Sequence, residues 1–240
     1  MKERLKHPRR RPRALMLLSG GLDSTVALAL SLKKFNVTHS VYFNYGQKAL
    51  DQERKSCKKL TKRLGVRFVE LHLPWPCSSS GCALTSKRVK VPLLQKADLR
   101  NRKKLEKAAS RVMVYNRNMI FISCAARLAA EMGCRFLIAG FNAEEAATFP
   151  DNSKAFLDSI NRTLKISLRP FKLRVISPTL LLTKEEIVRL SVKKKIPLDT
   201  VYSCYRGKRL MCGQCESCMR LRRAIEACGA SEKANLRMKK

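Results

Sequence analysis

The sequence predicts an α/β fold, a doubly wound parallel sheet, with a small C-terminal helical subdomain that binds zinc. Three observations predict it. The fully apolar run Ala14 to Leu18 stops at Ser19-Gly20-Gly21, the pattern of a buried parallel strand entering a glycine turn. Strand-like and helix-like segments then alternate, which implies helices on both faces of the sheet. Finally, Cys204, Cys212, Cys215 and Cys218 crowd together near the C-terminal end.

Each element has its own signal. Asp23-Ser24 precede the apolar stretch Thr25 to Leu30, so a helix follows the first strand, with Asp or Ser as its expected cap. Thr38 to Asn44 reads as a second strand, and Asp51 to Leu64 as an amphipathic helix stopped by Gly65. Arg67 to Leu73 is a third strand. Pro74 to Arg111 breaks the rhythm; rich in Pro, Ser, Gly and Lys, it reads as a long loop. Met119 to Met132 is a helix ended by Gly133, and Arg135 to Ala139 a buried strand. Ser153 to Leu168 is a helix, Arg174 to Ser177 a strand, and Thr183 to Lys194 a helix whose Thr183 and Glu186 form a capping box. The expected organisation is a basic tail over 1–13, an α/β domain over 14–196 with a lid at about 74–111, and a zinc-binding subdomain with a basic tail over 197–240.

Composition narrows the function classes. At 240 residues and 45% hydrophobic, the chain can bury a real core. No apolar run reaches the roughly 18 residues that span a bilayer. The basic N-terminus is not followed by a signal h-region, so the cytoplasm is the expected location. Lys plus Arg number 51 against 18 Asp plus Glu, a formal net charge of +33. That excess reads either as a solubility or proteome-wide trait or as a polyanion partner, with nucleic acid the first candidate. No aromatic residues interleave with the basic runs to provide stacking platforms. A homodimer is the expected assembly.

Two constellations carry chemistry. In Ser19-Gly20-Gly21-Leu22-Asp23-Ser24 the glycines let backbone N–H groups approach an anion, and the helix after them points its positive end at the same place. Ser19 and Ser24 add hydroxyl donors. Asp23 either caps the helix or holds a Mg²⁺ that bridges phosphates. The second is C-x7-C-x2-C-x2-C over Cys204, Cys212, Cys215 and Cys218. A thiolate quartet so close can close a tetrahedral zinc site with no open position, hence a structural one. An iron–sulfur cluster or a redox pair is the alternative. Of the ten cysteines, Cys57, Cys124 and Cys134 read as buried, inert thiols. Cys77 and Cys82 sit in a loop.

The loop Ser19 to Ser24 resembles the SGGxDS loop of the N-type ATP pyrophosphatases. With Tyr45-Gly46-Gln47, Gly81 to Thr85, Arg117-Asn118, Gly140-Phe141-Asn142, Phe149-Pro150-Asp151, Lys184 with Glu186-Ile187, and Ser203-Cys204-Tyr205 leading into the quartet, the chain from about Leu15 to Cys228 resembles the 7-cyano-7-deazaguanine synthases of the queuosine and archaeosine pathways. Two runs depart from that pattern: Val114 to Asn118 where the family usually has Val-Pro-Gly-Arg-Asn, and Phe149 to Ser153 where it usually has Tyr-Pro-Asp-Cys-Arg. The resemblance implies a Rossmann-like nucleotide fold and an ATP-dependent carbon–nitrogen ligase, with ATP, Mg²⁺ and one structural Zn²⁺. Its small-molecule partners would be a deazaguanine carboxylate and ammonia. A related adenylating enzyme acting on a tRNA or protein acceptor is the alternative. The resemblance further implies nucleotide contacts from Leu18, Ser19, Gly20, Gly21, Leu22, Asp23, Ser24, Thr25, Asn118, Asn142 and Asp151. Catalytic roles fall to Asp23, Ser24, Arg117 and Lys184. Glu144 and Glu145 read as Mg²⁺ ligands or as ordinary acidic residues of a helix start.

Overall fold

The computed structural model describes residues 11–73 and 81–239. Expectations that fall on Met1 to Arg10 and on Pro74 to Ser80, Cys77 included, lie outside these residues. Five strands, β1 (Arg13–Leu17), β2 (Asn36–Asn44), β3 (Arg67–His72), β4 (Phe136–Ile138) and β5 (Arg174–Ile176), pair in the order β3-β2-β1-β4-β5. Every pairing is parallel. The order reverses direction beside β1, so a crevice opens beyond the carboxyl ends of β1 and β4.

The sheet is wound on both faces, as alternation along β1 dictates. Ala14 and Met16 are buried on one face with residues of helix α1 (Leu22–Ser31) and helix α2 (Leu50–Leu64), such as Ala27, Leu28, Cys57 and Leu60. Leu15 is buried on the other face, between the strands and two further helices. In chain order α3 is Arg102–Val112, α4 Arg117–Glu131, α5 Ala143–Ala146 and α6 Lys154–Ser167. It is α4 and α6 that cover this face, through Ile122, Ala125, Ala129, Leu157, Ile160 and Leu164. A third cluster joins α1 to α7 (Lys184–Lys193) and α8 (Glu216–Ala227), with the four cysteines among its buried members. The C-terminal segment, which includes the short α9 (Ser231–Ala234), therefore packs on the sheet domain through a shared core. No helix among the described residues is long and apolar enough to cross a membrane.

Local chemistry behaves as expected at several ends. Gly65 adopts φ +66° and stops α2. Thr183 and Glu186 form the reciprocal capping box of α7. Two expectations fail. Pro74 to Arg111 is not one long loop: a 3₁₀ turn at Lys96–Arg100 and the whole of α3 except its last residue lie inside it. Leu105, Ala108, Ala109 and Val112 form the inner stripe of α3, which the lysines and arginines between them obscure in the sequence. Nor does Asp23 cap α1. The cap is Gly21, with no side-chain hydrogen bond, and Asp23 lies within the first turn.

Candidate active site

A cavity of about 530 Å³ fills the crevice beyond β1 and β4. The loop after β1 supplies Leu18, Ser19, Gly21, Asp23 and Ser24 to its wall. Gly20 turns the chain at φ +75°, where a side chain is strained, and an added Cβ would lie 2.7 Å from Ser56 Oγ. Its carbonyl accepts from Ser56 Oγ at 3.0 Å and from the Tyr202 amide at 2.9 Å, which anchors the loop from two sides. Ser19 Oγ and Ser24 Oγ lie 3.0 Å apart, and the Gly21 amide donates to Ser19 Oγ at 3.4 Å. Because no side chain caps α1, its first-turn amides stay available to an anion in the cavity.

The charges around this loop are buried. Lys184 Nζ donates to Asp23 Oδ2 and, at 2.7 Å, to Glu145 Oε1. Burial pushes the Asp23 carboxyl up to about 6, against the pull of Lys184. Burial works against the Lys184 charge too, but the two carboxylates outweigh it and hold the ammonium above its ordinary range. Asp23 Oδ1 is buried with no hydrogen-bond partner. One carboxylate oxygen thus stands without a hydrogen-bond partner on a residue of the cavity wall.

The opposite wall is aromatic. Phe43 stacks on Phe121 with ring centroids 4.3 Å apart and planes 8° from parallel, and Tyr45 tilts against the same ring at 5.4 Å. Arg117, in the first turn of α4, donates to Tyr45 Oη at 3.5 Å. Burial pushes the Tyr45 phenol up to about 12, partly offset by that guanidinium. Asp151 accepts from the Asn118 amide at 3.2 Å, and Asn118 Nδ2 donates to the Asp151 carbonyl at 3.1 Å. The Asp151 carboxylate is thereby fixed at the cavity wall. Below it, Gln47 Nε2 donates to Tyr42 Oη and to Glu53 Oε2 at 2.8 and 3.0 Å, and Tyr42 Oη donates to Glu53 Oε2 at 3.1 Å.

Beside the cavity the four cysteine sulfurs lie within 4.8 Å of one another, all buried. The amides of Arg206 and Cys212 donate to Cys204 Sγ at 3.4 and 3.3 Å, and those of Gln214 and Cys215 to Cys212 Sγ at 3.4 and 3.2 Å. Amide donors stabilise thiolate sulfur, so this donor set fits a metal ion. From the quartet α8 carries Glu216 and Arg220 inward. Tyr205 Oη donates to Glu216 Oε2 at 3.1 Å, and Arg220 contacts Glu216 at 2.6 Å and Glu144 at 3.6 Å.

The sequence model of the queuosine biosynthesis protein QueC family matches residues 13–229. The chain belongs to the QueC family. The 7-cyano-7-deazaguanine synthase of Methanobrevibacter smithii is 41% identical over 89% of this chain and 93% of its own length. That of Carboxydothermus hydrogenoformans is 42% identical over 88% of this chain and 97% of its own. Among solved structures, the U34-tRNA thiolase NcsA from Methanococcus maripaludis, with its 4Fe-4S cluster, superposes at TM-score 0.48 with 16% identity, covering 94% of this chain and 68% of that one.

The cavity lining sorts the residues singled out in the sequence. Leu18, Ser19, Gly21, Asp23, Ser24, Arg117, Asn118, Asp151 and Lys184 all line the one cavity. Gly20, Leu22, Thr25 and Asn142 do not. Leu22 and Thr25 are buried behind the loop, and Asn142 caps α5 by accepting from the Glu145 amide at 2.9 Å. Glu144 and Glu145 split their duties: Glu145 meets Lys184, while Glu144 meets Arg220, Arg223 and the Lys184 amide. The substituted Asn152 lines the cavity, and the substituted Ser153 caps α6 by accepting from the Phe156 amide at 3.1 Å. Sequence reasoning missed Glu53, Phe121 and Arg220. Each meets its partner only through the tertiary fold, except that Glu216 and Arg220 show an i,i+4 acid–base pair.

Proposed function

We propose that this chain makes 7-cyano-7-deazaguanine from 7-carboxy-7-deazaguanine and ammonia, using ATP twice. The observation that carries the reading is the uncapped α1 N-terminus and its glycine loop opening into the same cavity as Arg117 and Asp151. The curated relatives bear the name 7-cyano-7-deazaguanine synthase. In the first half-reaction the substrate carboxylate attacks the α-phosphate of ATP, giving an acyl-adenylate and pyrophosphate. Ammonia then displaces AMP and leaves an amide. In the second, the amide oxygen is adenylated, and loss of AMP and a proton gives the nitrile.

The residues supply binding and charge. First-turn amides of α1 with Ser19 and Ser24 hold the departing pyrophosphate. Lys184 reaches the phosphates from the same side, tied by Asp23 and Glu145. Arg117 neutralises the substrate carboxylate or a phosphate, and Asp151 accepts from the paired N–H donors of the deazaguanine. Asn118 holds Asp151 in place. The aromatic wall of Phe43, Tyr45 and Phe121 keeps water from the reacting carbonyl.

Two metals belong to this reading. The cavity wall carries Asp23, Glu53, Glu145 and Asp151 against Arg117 and Lys184, so it is richer in acid than in base. Such a wall accepts a triphosphate only with a divalent cation, and the free Asp23 Oδ1 is the natural ligand for Mg²⁺. Mg²⁺ would neutralise the developing pyrophosphate charge. Cys204, Cys212, Cys215 and Cys218 would hold a structural Zn²⁺, since four thiolates leave no open position.

The test is direct. Purified protein is given 7-carboxy-7-deazaguanine, ammonium, ATP and Mg²⁺, and mass spectrometry follows amide, nitrile and AMP. Nitrile with AMP is the expected outcome. A metal-loaded protein that makes no AMP sinks the proposal, and accumulation of amide alone restricts it to the first half-reaction.

A further inference from the structure

At the end of the sheet away from the nucleotide cavity, the strands begin with arginines. Arg13, Arg67 and Arg174 open β1, β3 and β5, and Arg135 stands one residue before β4. Arg13, Arg135 and Arg174 lie on the three adjacent strands β1, β4 and β5, with Arg13 level with Arg135 and Arg174 one register step further on, across from Phe136. The Arg135 amide donates to the Arg13 carbonyl at 3.0 Å, and the Arg174 amide to the Arg135 carbonyl at 3.1 Å. With neighbouring strands about 4.8 Å apart, the three arginines span about 10 Å of the edge, Arg13 and Arg135 from one face of the sheet and Arg174 from the other. All four arginines are exposed.

The edge runs into a second cavity, of about 600 Å³, between α6 and β5. Arg162, Lys165, Arg169, Lys172 and Arg174 line it, with Asp158 the single carboxylate. Asp158 is already engaged by Lys154 at 2.6 Å.

This edge is charged differently from other basic surfaces of the molecule. Arg54 meets Glu70, Lys59 and Arg63 share Asp199, and Arg223 meets Glu144. Among the described residues no carboxylate pairs with Arg13, Arg67, Arg135 or Arg174. Like charges on neighbouring strands repel, so this edge costs stability unless an anion lies on it. Its field reaches inward as well. His39 is held below its ordinary range by burial first, and then by Arg67 and Arg13. The nucleotide cavity gives these cations no role, because it lies beyond the opposite ends of the strands.

We propose that this arginine edge and the cavity it runs into bind the phosphodiester backbone of a nucleic acid, without reading its sequence. The edge carries several exposed guanidinium groups without carboxylate partners among the described residues, each able to take a phosphate oxygen. A ring at this edge, Phe171, already lies under the Arg135 guanidinium at 5.6 Å, so affinity rests on phosphate contacts and not on base stacking.

The test uses the full chain and a fluorescein-labelled single-stranded RNA of mixed sequence, read by anisotropy across a salt series. The native chain is expected to bind with a steep dependence on salt. The triple variant Arg13→Gln, Arg135→Gln, Arg174→Gln should lower the slope of log K against log salt by about 2, since each phosphate contact on a single strand contributes about 0.7. A control triple, Lys87→Gln, Arg88→Gln, Lys90→Gln, removes the same charge from exposed positions on another loop and should leave the slope within about 0.5 of native. Equal losses from both triples would overturn the proposal, because binding would then follow net charge alone. So would a native chain that does not bind RNA at low salt. A reading independent of any variant comes from ultraviolet cross-linking of the RNA to the native chain. Adducts should map to peptides spanning 162–174, and adducts confined elsewhere count against the site. Tighter binding to tripolyphosphate or to anionic lipid vesicles than to the RNA also overturns the assignment.

Discussion

Asp23 gives the sharpest prediction, because its charge opposes the fold that holds it. In the folded chain burial pushes its carboxyl up to about 6, and the unfolded chain titrates near the ordinary 3.8. Between those values the native state binds more protons than the unfolded state, so stability falls as pH rises through the window. The difference of about two pKa units corresponds to about 3 kcal/mol of destabilisation, fully present above pH 6 and absent below about pH 4. Asp23→Asn removes the titrating group. It also weakens the tie to Lys184, which then keeps Glu145 as its carboxylate partner. Comparing two pH values cancels any loss that does not depend on pH. Relative to the native chain, the variant should therefore gain about 3 kcal/mol on going from pH 4 to pH 7.5, or about 6–12 °C in Tm. Urea unfolding followed by circular dichroism measures it at both pH values. A native-to-variant difference that stays constant with pH would refute the reasoning, and so would a variant that loses stability relative to the native chain as pH rises. Pyrophosphate release should be lost in the same variant. A charge retained at such a cost is one the chemistry requires, and Mg²⁺ with a non-hydrolysable ATP analogue should stabilise the native chain more at pH 7.5 than at pH 4.

Three further outcomes follow from the geometry. Gly140→Ala would place a Cβ 2.6 Å from Ser24 N and Cα, backbone atoms that cannot swing aside; about 1–3 kcal/mol of stability and most ATP-dependent turnover should be lost, as thermal melts and AMP release would report. Stripping metal from the quartet, or Cys212→Ser, should cost about 3 kcal/mol or more and loosen α8, because the thiolates sit in the core shared with α1 and α7; hydrogen exchange of residues 216–227 with and without chelator measures it. Asn161 donates to the Val175 carbonyl and accepts from the Val175 amide, at 2.9 and 2.8 Å, on the edge strand β5; Asn161→Ala should cost about 1–3 kcal/mol and promote aggregation while leaving the KM for ATP unchanged.

What was legible in the sequence was local. The apolar run before Ser19-Gly20-Gly21, the stop at Gly65 and the Thr183–Glu186 box each lie within a few residues, and the structure has all three. The quartet was legible for the same reason, since its ligands fall within one short window. The helix α3 was not, because its apolar stripe is interrupted by lysines and arginines that a loop would carry equally well. The cap of α1 misled because Asp23 and Ser24 both match a capping residue, and only the backbone reveals that Gly21 holds the position. Long-range pairs left no trace. Lys184 meets Asp23 from 161 residues away, and Arg220 meets Thr148 across 72.

Net charge was the feature most open to misreading. A chain of +33 with a proposed use of ATP invites the idea that its basic residues gather the nucleotide. The cavity argues otherwise, because its wall holds more carboxylates than cations. On the proposed function, attraction of ATP there would depend on a divalent ion and on backbone amides at α1, neither of which adds to the count of lysines and arginines. The basic excess therefore needs a separate account, and the sheet provides one in its polarity. Parallel strands gather all their carboxyl ends at one edge and all their amino ends at the other. Chemistry occupies the first edge with buried, paired charge, and the second edge holds the unpaired arginines of β1, β3 and β5 together with Arg135. Since the two edges share no side chain, neutralising the arginine edge should change salt-dependent binding of a polyanion without changing the KM for ATP. A shift in both together would mean that the two ends of the sheet are coupled.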